Sequence, residues 1–417
     1  MKILHTADWH LGNIMHDINR TEEFRNFLTW LKGQIEERGI EALVVAGDIF
    51  DTVNPPTVAR KLYLDFLAGL HRTCCRNVIL VGGNHDSGSL LDASREVLAE
   101  ISIHMVGTIS GRTLDDLVCE MKNSSGDVIG ICCMVPFVRD LELNEFYKGT
   151  SAEEGTENLL ARLYADVYAR ASEVRAGRDI PIIATGHLYT MGLSGRDTGD
   201  KPDDGVREII GKLGSVDVDT FGSAFDYVAL GHIHYSTMVG KNPRIRYSGS
   251  PFVMGFDEAG MKRVVLEVDT AAGADPVVNS VEVPKTIRFE QFVGDLDYLK
   301  KSLVALGKEL KDCPMPTFVD VVLDSDEVVN LNSELDRYED GAPFIVKRHR
   351  LSRKLLKTQK PVMENAESLD NYQKEDYFRM LLQAKHQISP EAIEKLYAEY
   401  LPLLQEAADY AERNNKN

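Results

Sequence analysis

The chain has 417 residues, 43% of them apolar and 27% charged, and a formal net charge of −18. That length exceeds one ordinary core, so a large domain of roughly 250 residues with smaller units after it is expected, and the composition excludes a disordered or fibrous chain. The acidic balance excludes general electrostatic attraction to nucleic acid, so any contact with phosphates has to be local.

Apolar Ile3-Leu4 leads into polar Asp8-Trp9-His10, and the same form recurs from Ala42 to Asp48 and from Val78 to Asp86. These segments read as buried strands whose carboxyl ends carry polar residues. Amphipathic patterns between them, Thr21 to Arg38 closed by Gly39 and Pro56 to Arg72, complete consecutive β-α-β units. From about Arg112 shorter strands follow, over 128–135, 181–187, 226–232, 244–248 and 263–268, with a helix over 157–175. A second sheet facing the first gives an α/β fold of two facing β-sheets flanked by helices, spanning residues 1–275.

Near Pro284 the pattern begins again, with strands over 288–292, 317–323 and 344–348 and helices over 296–310 and 329–338. This is a small α/β cap domain over 284–348. Lys347, Arg348, Arg350, Arg353, Lys354, Lys357 and Lys360 then place seven positive charges before the next acid, Glu364. Residues 349–365 read as a basic linker that binds DNA phosphates or an acidic partner face, or stays a solvated connector. Residues 366–413 form a C-terminal helical element: Tyr377, Phe378, Leu381 and Leu382 follow helical spacing, and Ser389-Pro390-Glu391 starts a second helix that Pro402 loosens.

The N-terminus is too short and polar for a signal peptide, and no apolar run reaches the roughly 18 residues of a membrane span, so a soluble cytoplasmic protein with no membrane contact is expected. The six cysteines lack Cys-x-x-Cys spacing and read as buried, reduced thiols.

Five segments carry ligand-type side chains at predicted strand ends: Asp8-Trp9-His10, Gly47-Asp48-Ile49-Phe50-Asp51, Gly83-Asn84-His85-Asp86, Gly186-His187 and Gly231-His232-Ile233-His234. In Asp-x-His and His-x-His, alternate residues of an extended segment face one side, so both members of a pair can face one cavity. Carboxylates, imidazoles and an amide oxygen suit Mn²⁺, Fe²⁺ or Zn²⁺, and no thiolate joins them. Two such ions generate a nucleophile near neutral pH and stabilise both oxygens of a displacement at phosphorus, which calls for a bridging carboxylate; Asp48 is the natural candidate. His5, His16, His71, His104, His349 and His386 lack a partnered motif and read as structural.

This ordered set resembles the calcineurin-like metallophosphoesterases. The strings Leu4 to Gly12, Ala46 to Asp51, Gly83 to Ser87, Ala184 to Leu188 and Ala229 to His234, with Gly249-Ser250-Pro251 and Phe256-Asp257-Glu258, are similar to the bacterial SbcD-type nucleases, nuclease subunits of SbcCD complexes. The resemblance covers nearly the whole chain and is looser after about residue 260. It implies two divalent ions, with Mn²⁺ expected: one held by Asp8, His10, Asp48 and His234, the other by Asp48, Asn84, His187 and His232. It implies that His85 stabilises the transition state or protonates the leaving 3′ oxygen, with Asp86 orienting it. It leaves Asp51 either a contact to DNA or loop structure. Lys347, Arg348, Arg350 and Arg353 are candidate DNA contacts.

The activity implied is 3′-to-5′ exonuclease action on duplex ends and endonuclease action on single strands or hairpins, in DNA repair and recombination. The partners implied are DNA, an SbcC-type ABC ATPase, and a second copy through the nuclease domain; the apolar stripes of the C-terminal helices make them the candidate docking element for the ATPase, with packing against their own cap domain as the alternative. The chain has no Gly-x-x-x-x-Gly-Lys-[Ser/Thr] phosphate loop of its own. Two other readings stand beside this one, a phosphodiesterase acting on a small or protein substrate and a scaffold that binds DNA ends without cutting.

Overall fold

The computed structural model describes residues 1–147, 156–190, 217–222, 224–312, 314–325 and 331–352. Met1–Ser352 form one compact unit; Arg353–Asn417 are a second unit that lies outside the described residues, and with it lie the expected C-terminal helices and most of the basic linker.

Two six-stranded sheets make the centre of the first unit. One has the order Val277–Glu282, Val264–Asp269, Lys2–Thr6, Ala42–Ala46, Asn77–Val81, Ile103–Val106, the last four strands being parallel. The other runs Thr237–Val239, Asn242–Tyr247, Tyr227–Gly231, Ile182–His187, Val128–Cys133, Val118–Lys122, with a parallel centre and antiparallel edges.

The unbroken apolar strands of the first sheet are explained by cover on both faces. Ile3, Ala42, Val44, Ile79 and Val81 point toward the second sheet and share a core with Ile131, Ile183, Ala184 and Val228. The alternate residues Leu4, Leu43, Val45, Val78 and Leu80 point the other way. They pack under the helices Thr21–Arg38 and Thr57–Leu70 through Phe24, Phe27, Leu31, Tyr63 and Leu67. Gly39 ends the first of these helices at φ 65°, where its N–H reaches back to Glu36 and Ile35.

Strands not expected from the sequence include Ile103–Val106, Val118–Lys122, Thr237–Val239 and Val277–Glu282. The last lies at a sheet edge with only Val281 buried, so it carries almost no apolar periodicity, and it takes the first sheet past the expected limit at residue 275. The strands and helices that follow lie close to where the sequence pattern placed them. Arg288–Gly294, Thr317–Leu323 and Ile345–Leu351 form a parallel sheet in that order. Leu299, Leu303, Leu306 and Leu310 of the helix Leu296–Asp312 cover it at helical spacing. The last strand includes His349–Leu351, which the sequence reading assigned to the linker. The module seats on the sandwich through Phe289, which packs with Met15, Ile18 and Phe256.

No helix among the described residues is long and apolar enough to cross a membrane. Among the described cysteines Cys75, Cys119, Cys132 and Cys133 are buried and free; Cys74 is exposed, although its thiol faces the carbonyls of Ile35 and Ile40.

Candidate metal centre

All five ligand-bearing segments leave the carboxyl ends of parallel strands, and backbone hydrogen bonds stitch them together. Asp8 N–H donates to Gly47 O at 3.0 Å, His10 N–H to Asp48 O at 2.9 Å and Leu11 N–H to Ile49 O at 2.9 Å. The Asp8 carboxylate accepts from the backbone N–H of His232 at 2.9 Å, and Asp48 Oδ1 from that of His85 at 2.8 Å. Two glycines allow this approach. A Cβ on Gly231 would stand 1.9 Å from the Ala46 carbonyl oxygen, and one on Gly83 2.1 Å from Asp48 Oδ1.

The pairing of Asp8 with His10 works differently from the expected extended segment. Asp8, His10, Asp48 and His232 have φ of 53°, 43°, 49° and 97°, the left-handed region that side chains with a Cβ avoid. The chain turns tightly at the strand end instead of continuing it. Trp9 between the two ligands is therefore buried among Phe27 and Phe66, its indole N–H donating to Thr6 Oγ1 at 2.9 Å.

The candidate donors converge. Asp48 Oδ2 lies 3.7 Å from His10 Nε2 and 3.2 Å from His187 Nε2. Asn84 Oδ1 lies 3.0 Å from both His187 Nε2 and His232 Nδ1. Ligand atoms of Asp8, His10 and His234 gather within 4.8 Å of one another, as do those of Asp8, Asp48 and His187.

Two features fit these residues to cations. His187 Nδ1–H donates to the Ala46 carbonyl at 2.8 Å, so in the neutral ring the Nε2 lone pair faces two oxygen acceptors and needs a proton or a metal ion between them. Nε2 of His10 is buried without a hydrogen bond, a state that ligation relieves. The titration behaviour has the same origin. Burial opposes charge on His187, but the Asp48 and Asp8 carboxylates prevail and raise it to about 9. Burial and the His187 charge lower His232 to about 3. Burial opposes ionisation of Asp48 too, yet His187 and His10 hold it well below the usual carboxylate range, whereas burial raises Asp8.

Around the donors sits a ring of supports. Asp51 Oδ1 stands 3.3 Å from His10 Nδ1 and accepts from Asn13 Nδ2 at 3.0 Å. The Asp51 carbonyl accepts from His85 Nδ1–H at 2.8 Å, so the Nε2 edge of that imidazole is left for a ligand. Glu258 Oε1 stands 3.4 Å from His234 Nδ1. These carboxylates stand beside the far ring nitrogens of two candidate ligands, the placement of a common device for orienting metal-binding imidazoles. The carboxylate of Asp86 holds backbone: it accepts from the N–H groups of Ile49, Phe50 and Gly83 at 3.0, 2.9 and 2.9 Å. Asn13 and Glu258 were not singled out from the sequence as site residues. Both act across long sequence separations, so no local spacing betrays them.

The basic residues are elsewhere. Lys347, Arg348 and Arg350 lie on the last strand of the C-terminal module. Arg348 and Arg350 both donate to the fully buried Asp320 carboxylate, at 3.1–3.3 Å, and Lys347 Nζ lies 5.5 Å over the Phe318 ring. Arg353 lies outside the described residues.

Comparison with known proteins adds the following. Residues 1–236 match the family Calcineurin-like phosphoesterase. The D subunit of nuclease SbcCD from Escherichia coli (strain K12) is 34% identical over 360 residues, covering 85% of this chain and 86% of that one. The protein of the same name from Rhodobacter capsulatus is 36% identical over 285 residues, 66% of this chain and 68% of that one. The one from Bacillus subtilis is 32% identical over 280 residues, with the same shares.

Proposed function

Because this chain belongs to the calcineurin-like phosphoesterases, and within them to the SbcD nuclease subunits, we propose that it is a Mn²⁺-dependent DNA nuclease with two metal sites. It cuts duplex ends as a 3′-to-5′ exonuclease and single strands or hairpins as an endonuclease. The observation that carries the two-metal reading is Asp48, whose Oδ2 lies between His10 Nε2 at 3.7 Å and His187 Nε2 at 3.2 Å. Asp8, His10, Asp48 and His234 would hold one ion, and Asp48, Asn84, His187 and His232 the other. When bound, such a pair activates water near neutral pH and neutralises charge on a phosphodiester.

The chain's own residues supply the rest. His85 is directed by the Asp51 carbonyl so that Nε2 faces the reacting phosphate, where it delivers a proton to the leaving 3′ oxygen or stabilises charge on the phosphate. Asp86 acts one step back: by fixing the Ile49, Phe50 and Gly83 amides it sets the loops that carry Asp48 and His85. The C-terminal α/β module serves as a cap beside the centre, with Lys347, Arg348 and Arg350 on its last strand meeting DNA phosphates; Asp51 supports the site from beside His10. An SbcC-type ATPase, docked on the C-terminal segment, gates access. The nuclease unit pairs with a second copy, and the complex works in the cytoplasm in repair and recombination.

The test is cleavage of end-labelled duplex and hairpin DNA with Mn²⁺, with and without an SbcC-type ATPase, beside a generic aryl phosphodiester. The expected result is metal-dependent cutting that Asp48→Ala abolishes. Undiminished cutting by that variant would overturn the metal assignment. Turnover of the aryl ester with no action on DNA would favour a small-substrate phosphodiesterase.

A further inference from the structure

The two halves of the metal centre are supported differently. His187 is fixed from inside the sandwich, by the Ala46 carbonyl on its Nδ1, and the backbone N–H of His232 is fixed by Asp8. His10 and His234 stand beside carboxylates, Asp51 and Glu258, whose other contacts run outward to the seat of the C-terminal module. From the module, the Phe289 ring lies 5.4 Å from the guanidinium carbon of Arg20. Arg20 is a fully buried cation, flanked also by the rings of Phe24 and Phe252, and its Nε donates to Glu23 at 2.6 Å. Its Nη1 donates to Asn13 Oδ1 at 3.0 Å; Asn13 Nδ2 donates to Asp51 Oδ1, which stands against His10 Nδ1. A second track starts from the same ring. Phe289 packs edge-on against Phe256 at 5.7 Å, in the turn Phe256–Glu258 that carries the carboxylate beside His234. Arg263 locks that turn by donating to Glu258 Oε2 at 2.9 Å and to the His234 carbonyl at 2.8 Å.

A buried guanidinium is costly to desolvate, and Arg20 Nη2 has no hydrogen-bond partner. An apolar side chain would fill the same space at less cost but would not reach Asn13. We infer that Arg20 is a positioning residue that ties the seat of the C-terminal module, at Phe289, to the half of the metal centre built on His10 and His234, and not to the half built on His187 and His232. The inference rests on the two-metal reading above. Its consequence is reciprocal: a shift of the module changes the affinity of one site for its ion, and an ion bound there holds the module in its seat.

The test is calorimetric titration of the metal-free full chain with Mn²⁺. Phe289→Ala touches no candidate ligand, yet one of the two Kd values is expected to rise about 10-fold or more, the range for loss of outer supports of a ligand, while the other stays within about twofold. Asn13→Ala is expected to weaken the same site from the other end of the track, and the double variant to be less than additive. Phe289→Leu keeps an apolar side chain but removes the ring over Arg20, and is expected to weaken the same site even if the alanine variant folds poorly. Val293→Ala, at an exposed position on the same strand, is expected to change neither site. Equal weakening of both sites, or no change with Phe289→Ala and Phe289→Leu, would overturn the inference while leaving two metals in place. A wild-type chain that binds fewer than two ions would overturn the two-metal reading itself, and the inference with it.

Discussion

Asp86 offers a sharp separation between a structural and a catalytic role. Its carboxylate is buried between two ligand loops, Oδ2 accepting from Ile49 and Gly83 and Oδ1 from Phe50. Asp86→Ala strands three backbone N–H groups away from water, at about 1–3 kcal/mol each. Against this, burial and the Asp48 charge push the Asp86 carboxyl up to about 6, so removing it also removes an unfavourable charge. The net loss expected is about 3–5 kcal/mol. Asp86→Asn keeps one carbonyl oxygen, enough for Ile49 and Gly83, and turns an amide N–H toward Phe50; it should lose about 1–2 kcal/mol. Urea denaturation of the metal-free chain measures both, with cleavage assayed at a temperature where each variant is folded. If Asp86→Ala cost less than about 1 kcal/mol while cleavage fell as far as in a His85 variant, Asp86 would belong to the chemistry and the loop-clamp reasoning would fail.

His85→Ala should cut about 10²–10⁴ times more slowly while binding Mn²⁺ with unchanged stoichiometry, because the backbone N–H that reaches Asp48 survives the substitution; calorimetry and cleavage rates together check it. His187 has its folded-state pKa raised from 6.5 to about 9 in the metal-free chain. A raised pKa means stability that is fully present below about pH 6.5 and lost as pH rises through about 9, so Tm without metal should fall over that window and flatten in His187→Gln. Mn²⁺ competes for the same nitrogen, so its apparent affinity should rise over the window. Asp320→Ala leaves Arg348 and Arg350 half-buried without their shared carboxylate and should cost about 3 kcal/mol. A loss below about 1 kcal/mol in urea denaturation would mean the pair contributes solvation only.

Much of the architecture was legible because it is written in local periodicity. The helix over 21–38 and the buried strands around Leu43, Ile79 and Ile183 carry long, unambiguous patterns. Strands with one exposed face or few residues, such as Val277–Glu282 and Ile103–Val106, do not. The candidate ligands were legible for a related reason: each terminates a readable strand. Their supports were not. Asp51 was visible only as a residue with two possible roles, and its place beside His10 comes from a sequence separation no local pattern records. Arg350 read as part of a basic linker because Asp320, with which it pairs, lies 30 residues away.

The left-handed backbone at four candidate ligands carries the argument one step further. Isolated positive φ values occur elsewhere, for example at Lys241 in a turn. At Asp8, His10 and Asp48 they coincide with side chains whose ligand atoms gather in groups within 4.8 Å, and at His232 with a ring whose Nδ1 lies 3.0 Å from Asn84 Oδ1. Each costs of order 1 kcal/mol against an ordinary conformation, and persists only where the surroundings over-determine it. The surroundings here are the cross-loop hydrogen bonds of Asp8, His10 and His232, so the strain is held by the same contacts that set donor spacing. An extended segment would send Asp8 and His10 to one side but continue the strand away from Asp48. The turn keeps both within reach of it and buries Trp9 among the helix-facing aromatics, so the folding core and the metal centre depend on the same three residues.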